Sequence, residues 1–353
     1  MSEHKNIKLG FILIFLVLLI VPNVILFSGD SDKSTLPEFG FKNLSQSVKD
    51  FNTYYDNNYG LKPQLVDSYL KFKTQVLDDT PLPNRVIKGK DDWYFLGNQY
   101  NELFNDSFGN FDFSEAELIE IKDFLQSTRE VLAARGIAFY IVVPPNKHRV
   151  YTEMLPYQLN YTDTRLKTLN SYLKKEIDFE IIDLRDTLIV NKNLGQLYYK
   201  TDTHWNDLGA FLGYQKTMSI IAPDLPTVSL SEYTIANEST KQGDITEMIN
   251  LKTNEQIIAL HKNEPSQIKS IKSTYEFMRF VNYKRNKILV MYRDSFGNAL
   301  IPFFNESFRE TIYKRGYPVD LGFIDHKKPD IVIFEVVERN LSSILLNRKK
   351  SPK

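Results

Sequence analysis

Apolar and polar positions along the chain divide it into a membrane-length segment and an alternation of helices with short buried strands. Leu9 to Phe27 reads LGFILIFLVLLIVPNVILF, about 19 residues without a charge, enough helix to cross a hydrocarbon layer of about 30 Å. Beyond it, Phe51 to Gln75 reads as a helical stretch interrupted at Gly60 and Pro63, and Val86 to Leu96 as a hairpin turning near Gly89 to Asp92. Phe113 to Arg135 carries apolar residues at Leu118, Ile121, Leu125 and Leu132. It opens with a Ser114/Glu117 capping pair and stops at Gly136, the pattern of an amphipathic helix. Ile137 to Val143, IAFYIVV, is a continuous apolar run of the kind found in strands buried on both faces. The alternation continues with helix 163–176, strand 180–182, helix 206–221, strand 287–292, helix 296–308 and strand 331–336. This order predicts an α/β fold with a mainly parallel sheet flanked by helices. The polar stretch Pro223 to Lys284 breaks the alternation and reads as an inserted lid or excursion beside the sheet.

Charge refines this picture. Lys5 and Lys8 precede the apolar segment and Asp30 and Asp32 follow it, so the positive-inside rule puts residues 1–8 in the cytoplasm and the bulk of the chain outside. No A-x-A-type cleavage site follows, which favours a retained anchor at 9–27 over a removed signal. The expected layout is then a linker over 28–48 and a catalytic domain over 49–345. Lys+Arg and Asp+Glu both number 44, for a formal net charge of +0. No overall basic field exists to collect nucleic acid, which is excluded as a partner class. The chain has no cysteine, so an exported domain would rely on its core without disulfides or thiolate metal sites.

The candidate chemistry lies in two places far apart in sequence. Ser295, in KILVMYRDSFGNALIPFF, falls where a buried strand turns into a helix. There a hydroxyl stands beside free backbone N–H groups that can stabilise an oxyanion. An ordinary N-cap has the same signature. Asp202 and His204, in KTDTHWNDLGA, supply what a serine nucleophile needs: an imidazole to take its proton and a carboxylate to fix the tautomer of that imidazole. Asp202 as a turn cap, or Asp202 and His204 as metal ligands, are the competing readings. The metal reading is the weaker, because His148, His261 and His326 show no ligand spacing.

TDTHW, the later RDSF, PFFNESF and PDIVIFEVVERNL, with YYDNNYGLKPQL, GKDDWYFL, VVPPNKHRVYTEMLP and GDITEMI, together resemble the SGNH-hydrolase-like proteins of the alginate O-acetyltransferase type, the AlgX/AlgJ group and its DHHW relatives. The resemblance runs from about Phe51 to Leu341. It implies a triad of Ser295 as nucleophile, His204 as general base and Asp202 as orienting acid, in the permuted order that places the serine last. Many members have glycine before the Asp-Ser pair, where this chain has Arg293. Arg293 is thus a candidate for holding substrate charge or for pairing with a carboxylate such as Glu338. Trp205 is a candidate sugar platform or a core aromatic, and Asn146 a candidate oxyanion donor or a turn residue.

The resemblance also implies the function: an extracytoplasmic, membrane-anchored O-acetyltransferase acting on hydroxyls of a cell-surface or secreted polysaccharide. No cofactor or metal enters this chemistry, and a multi-spanning membrane acyltransferase is the implied acyl donor. An esterase with the same triad, and a non-catalytic glycan-binding scaffold of an acyltransfer complex, are the alternatives.

Overall fold

A computed structural model describes residues 2–28, 36–40, 43–77, 79–109, 112–159, 165–240, 242–317 and 319–346. Much of the expected linker at 28–48, with Asp30 and Asp32, lies outside the described residues, as do Asp163 and the basic tail at 348–353. The chain separates into two compact units, with the division between Pro81 and Leu82.

The first unit is helical. Ser2–Phe27 is one helix, and its segment Asn6–Phe27, with a mean hydropathy of 3.0 and 11% of it buried, is long and apolar enough to cross a membrane. Helices Leu44–Asn58 and Lys62–Lys71 follow; the break contains Gly60 as the pattern predicts, while Pro63 does not interrupt the second helix but sits in its first turn. Gly60 has a steric reason to be glycine: a Cβ there would lie 2.4 Å from the Pro22 carbonyl oxygen.

The described residues of the second unit form eleven strands: β1 (Val86–Lys88), β2 (Tyr94–Leu96), β3 (Ala138–Val143), β4 (Ile182–Asp183), β5 (Tyr233–Thr240), β6 (Glu255–Lys262), β7 (Lys269–Ser273), β8 (Phe277–Val281), β9 (Ile288–Arg293), β10 (Glu310–Arg315) and β11 (Ile331–Glu335). Seven form one sheet in the order β4-β3-β11-β9-β10-β8-β7. The five from β4 to β10 are mutually parallel, and β8 and β7 add antiparallel at one edge. β1 pairs with β2 and β5 with β6 as separate antiparallel ladders.

The central strands read as unbroken apolar runs because each face is buried against its own layer. In β9, Leu289 and Met291 enter one core with helices Asp207–Ile221 and Ile301–Ser307, while Val290 and Tyr292 enter another with helices Glu115–Ala133 and Arg165–Ile177. Burying an aliphatic side chain of this size contributes roughly 2 kcal/mol, which fixes the register of a strand that must satisfy both layers. The capping box at Ser114 and Glu117 forms as its spacing predicts.

Two expectations need correction. The stretch 223–284 is not wholly a lid beside the sheet: its last part supplies β7 and β8, which extend the main sheet, and β5 with β6 forms a hairpin. The helix predicted over 296–308 begins as a 3-10 turn, Phe296–Leu300, and becomes α-helical over Ile301–Ser307, where Pro302 occupies a first-turn position that needs no N–H partner.

Candidate active site

Crossovers of parallel strands leave strand ends and helix starts exposed together at the carboxyl edge of the sheet, and the candidate residues meet there. Ser295 follows β9. Asp202 and His204 sit in the loop that leads to helix Asp207–Ile221. That loop is a tight excursion, closed by a bridge between Tyr198 and Trp205 and by Asn206 N–H donating to the Leu197 carbonyl at 2.9 Å. Asn206 then caps the helix through Gly209 N–H.

Asp202, His204 and Ser295 form one hydrogen-bonded line. His204 Nε2 lies 2.8 Å from Ser295 Oγ, and His204 Nδ1 lies 2.6 Å from Asp202 Oδ1. The Asp202 carboxylate also accepts the backbone N–H of His204 at 2.9 Å and of Asp244 at 3.0 Å. Burial pushes the Asp202 carboxyl up, but its bond to His204, the charge of that ring and the two backbone donors outweigh burial and hold it at about 2.

The capping reading of Ser295 is answered by its neighbour. Asp294 Oδ1 accepts the Phe296 N–H at 2.9 Å and Oδ2 accepts the Val337 N–H at 2.9 Å, while the Ser295 hydroxyl caps nothing. Asp294 therefore does the work of the turn and leaves Ser295 Oγ to His204. The metal reading involves the same residues: Asp202, His204 and Asp244 have ligand atoms within 4.8 Å of one another, and in this structure Nδ1 and Oδ1 stand at a hydrogen-bond distance of 2.6 Å.

The line opens on a cavity of about 340 Å³ whose walls include Tyr199, Gln242, Gly243, Phe296 and Asn298. Trp205 contributes to the cavity wall but is only 1% exposed; its Nε1–H donates to the Phe296 carbonyl at 3.0 Å, so it chiefly anchors the backbone beside Ser295 from within the core. The other two candidates fall elsewhere. Arg293 is also buried, and its guanidinium donates to the Asp294 carbonyl at 3.0 Å. The nearby carboxylate acting on it is Glu335, not Glu338; Glu338 accepts the Asn146 N–H at 2.9 Å and lies 3.5 Å from Arg149. Asn146 is buried in that network and does not line the cavity. Neither Arg293 nor Asn146 lines the cavity.

Two residues support the line from behind and were not singled out in the sequence. Asp244 lies 3.7 Å from His204 Nδ1 and accepts both the N–H and the hydroxyl of Thr203 at 2.7 Å. Burial, then the charge of Asp202, raise its carboxyl. The preceding Gly243 lets this segment in: a Cβ there would stand 2.2 Å from the Thr201 carbonyl oxygen. Asp244→Ala should lower kcat for ester turnover by about tenfold with KM little changed, roughly 1.4 kcal/mol of transition-state stabilisation. Steady-state kinetics beside a melting curve would check this.

Lys147 is the second. Its Nζ is buried under the loop and donates to the carbonyls of Tyr199, Lys200 and Asp202 at 2.8 to 3.0 Å. Burial pulls the amine down to about 7, opposed by the carboxylates of Asp202, Glu255 and Asp244. Lys147→Ala removes three part-buried hydrogen bonds, leaving the Lys200 carbonyl with only the Tyr94 N–H, and should cost about 3 kcal/mol at roughly 1 kcal/mol each, seen as a clear fall in Tm.

Comparison with known proteins follows this geometry. The family described as the SGNH hydrolase-like domain of the acetyltransferase AlgX matches residues 86–276; Asp202, His204 and Asp244 fall inside that range and Ser295 beyond it. A probable alginate O-acetylase AlgJ of Pseudomonas syringae pv. tomato is 23% identical over 257 residues, covering 70% of this chain and 61% of that protein. The Pseudomonas putida AlgJ is 27% identical over 176 residues, covering 47% and 42%. The chain thus spans about three-fifths or less of the length of these relatives. Among solved structures, Bacillus cereus PatB1 superposes with a TM-score of 0.57 at 19% identity, covering 74% of this chain and 98% of that one. A DHHW family protein of Eubacterium siraeum gives 0.51 at 16% identity, covering 73% and 93%. Both share the fold.

Proposed function

Since the chain belongs to the family of SGNH hydrolase-like acetyltransferase domains represented by AlgX, we propose that it is a membrane-anchored O-acetyltransferase that esterifies hydroxyls of a cell-surface or secreted polysaccharide. The observation that carries this reading is the hydrogen-bonded line from Asp202 through His204 to Ser295 Oγ at an open cavity.

In this mechanism Ser295 Oγ attacks the acetyl carbonyl of a donor while His204 Nε2 takes the hydroxyl proton. Asp202 holds Nδ1 protonated, so that Nε2 presents its lone pair, and it stabilises the imidazolium that forms. The tetrahedral intermediate expels the donor's leaving group, which takes the proton back from His204, and acetyl-Ser295 remains. A sugar hydroxyl then loses its proton to His204 as it attacks the ester, and collapse returns the proton to Ser295. The amide side chains of Gln242 and Asn298, both lining the cavity, are the proposed donors to the carbonyl oxygen as it gains charge. The reaction needs no redox step and no cofactor.

The Asn6–Phe27 helix supports the anchor, and Lys5 and Lys8 at its amino-terminal end support an extracytoplasmic active site. From that side the cytoplasmic pool of activated acetyl groups is out of reach, so a multi-spanning membrane acyltransferase is the proposed donor. The test is the fate of acetyl groups when the full chain is given an activated acetyl ester and a polysaccharide. Acetate appearing on the sugar supports the transferase. Acetate released only to water, with the same Ser295 dependence, would replace this reading with an esterase.

A further inference from the structure

A second cavity adjoins the first. It is about 650 Å³ and lies between β2, the 196–201 segment and the residues entering β6. Thr201 lines both cavities; Lys200 lines only the second and Asp202 only the first. Consecutive residues of one loop therefore lead from this groove to the catalytic line.

The floor of the groove is held in place. Glu255, 9% exposed, accepts the backbone N–H groups of Lys200 at 2.9 Å and Thr201 at 2.8 Å, and Tyr94 N–H donates to the Lys200 carbonyl at 2.9 Å. The remaining lining side chains are mostly neutral and hydrogen-bonding, with Gln196, Thr253, Asn254 and Gln256 among them. Amides and hydroxyls that both donate and accept match sugar hydroxyls, which do the same.

Charge narrows the occupant. Asp92 and Glu255 line the groove against the single ammonium of Lys200. The catalytic cavity is lined by Asp202 and, among the described residues, by no lysine or arginine; behind that wall Asp244 adds a carboxylate and the buried Lys147 an ammonium. A polymer with a carboxylate on every sugar would meet like charge along this path, and like-charge contacts are what an interface uses to reject a partner.

We propose that this groove binds the acceptor as a neutral, hydroxyl-rich polysaccharide chain and delivers one of its hydroxyls past Thr201 to the cavity at Ser295. The inference deepens the acetyltransferase reading and rests on it for the chemistry, while the binding itself is independent of acylation. The experiment therefore has a binding arm and a transfer arm, both with the full chain in detergent micelles. In the first, calorimetry measures binding of neutral gluco-oligosaccharides and N-acetylglucosamine oligosaccharides, and of mannuronate oligosaccharides of equal length, to the Ser295→Ala protein and to the same protein carrying Asn254→Trp or Gln256→Trp. Both of these positions are exposed, so a bulky side chain fills the groove without entering the core.

At least one neutral probe should bind at least about tenfold more tightly than mannuronate, and each tryptophan should weaken that binding by about tenfold or more. In the second arm, with Ser295 present, the tryptophan variants should become acetylated by an activated ester at an unchanged rate yet transfer at least about tenfold less to the neutral sugar. Mannuronate binding as tightly as the neutral probes, no neutral probe binding, or tryptophan variants that bind and transfer normally would overturn the proposal. Groove-dependent binding without any acetylation of Ser295 would instead overturn the acetyltransferase reading and leave the groove assigned.

Discussion

Ser295→Ala is expected to lower kcat/KM for an activated acetyl ester by about 10⁴-fold or more and to abolish the covalent acetyl adduct, without loss of fold. The size follows from what the substitution removes. Ser295 Oγ, 2.8 Å from His204 Nε2, is the atom that becomes the ester. The residual rate would come from binding in the cavity and from water using the same base. The fold should persist because the hydroxyl caps no backbone group: Asp294 takes the Phe296 and Val337 N–H groups, and Trp205 holds the Phe296 carbonyl. A loss of activity accompanied by unfolding would contradict this division of labour between Asp294 and Ser295.

Asp202→Asn should cost about 10⁴-fold in kcat while leaving the cavity shape intact. The carboxylate accepts a hydrogen bond from His204 Nδ1–H at 2.6 Å. An amide nitrogen turned toward the ring would donate instead, leaving Nδ1 as acceptor and the proton on Nε2, where it cannot accept from Ser295. The pH profile carries a second signature. Folded Asp202 titrates at about 2 against about 3.9 in an unfolded chain. A depressed carboxyl contributes stability that is present above pH ~4 and lost as pH falls toward ~2. Acid unfolding of the wild type should therefore include this increment, and Asp202→Asn should lack it; equal acid sensitivity of the two proteins would count against the ionised pair.

The serine, histidine and aspartate were legible in the sequence because each sits in a short segment with its own pattern: an apolar run that ends at Arg293, and a polar loop that ends at an Asn206 cap. The central strands were legible for a related reason, since burial on both faces writes itself as IAFYIVV or IVIFE. β10 was not, because ETIYKR carries charges at both ends of its short buried centre. β7 was not, because every residue of this edge strand is exposed and its sequence KSIKS is that of a loop. Asp244 and Lys147 escaped notice because their roles arise from tertiary contact with 199–204. The only local traces were a Gly-Asp pair at 243–244 and a lysine inside the four-residue buried helix Lys147–Val150. For Arg293 and Trp205 the sequence left a substrate role and a core role both open, and each side chain is 1% exposed in the fold, because the space it fills is set by tertiary packing and not by its distance in sequence from a reactive residue.

The most direct test is peptide mass spectrometry of the full chain after brief exposure to an activated acetyl ester, beside Ser295→Ala and His204→Ala. The account predicts one acetyl group on Ser295 in the wild type, none at that position in Ser295→Ala, and slow accumulation in His204→Ala. A folded wild-type protein that carries no acetyl group on Ser295 and turns over no ester would contradict it.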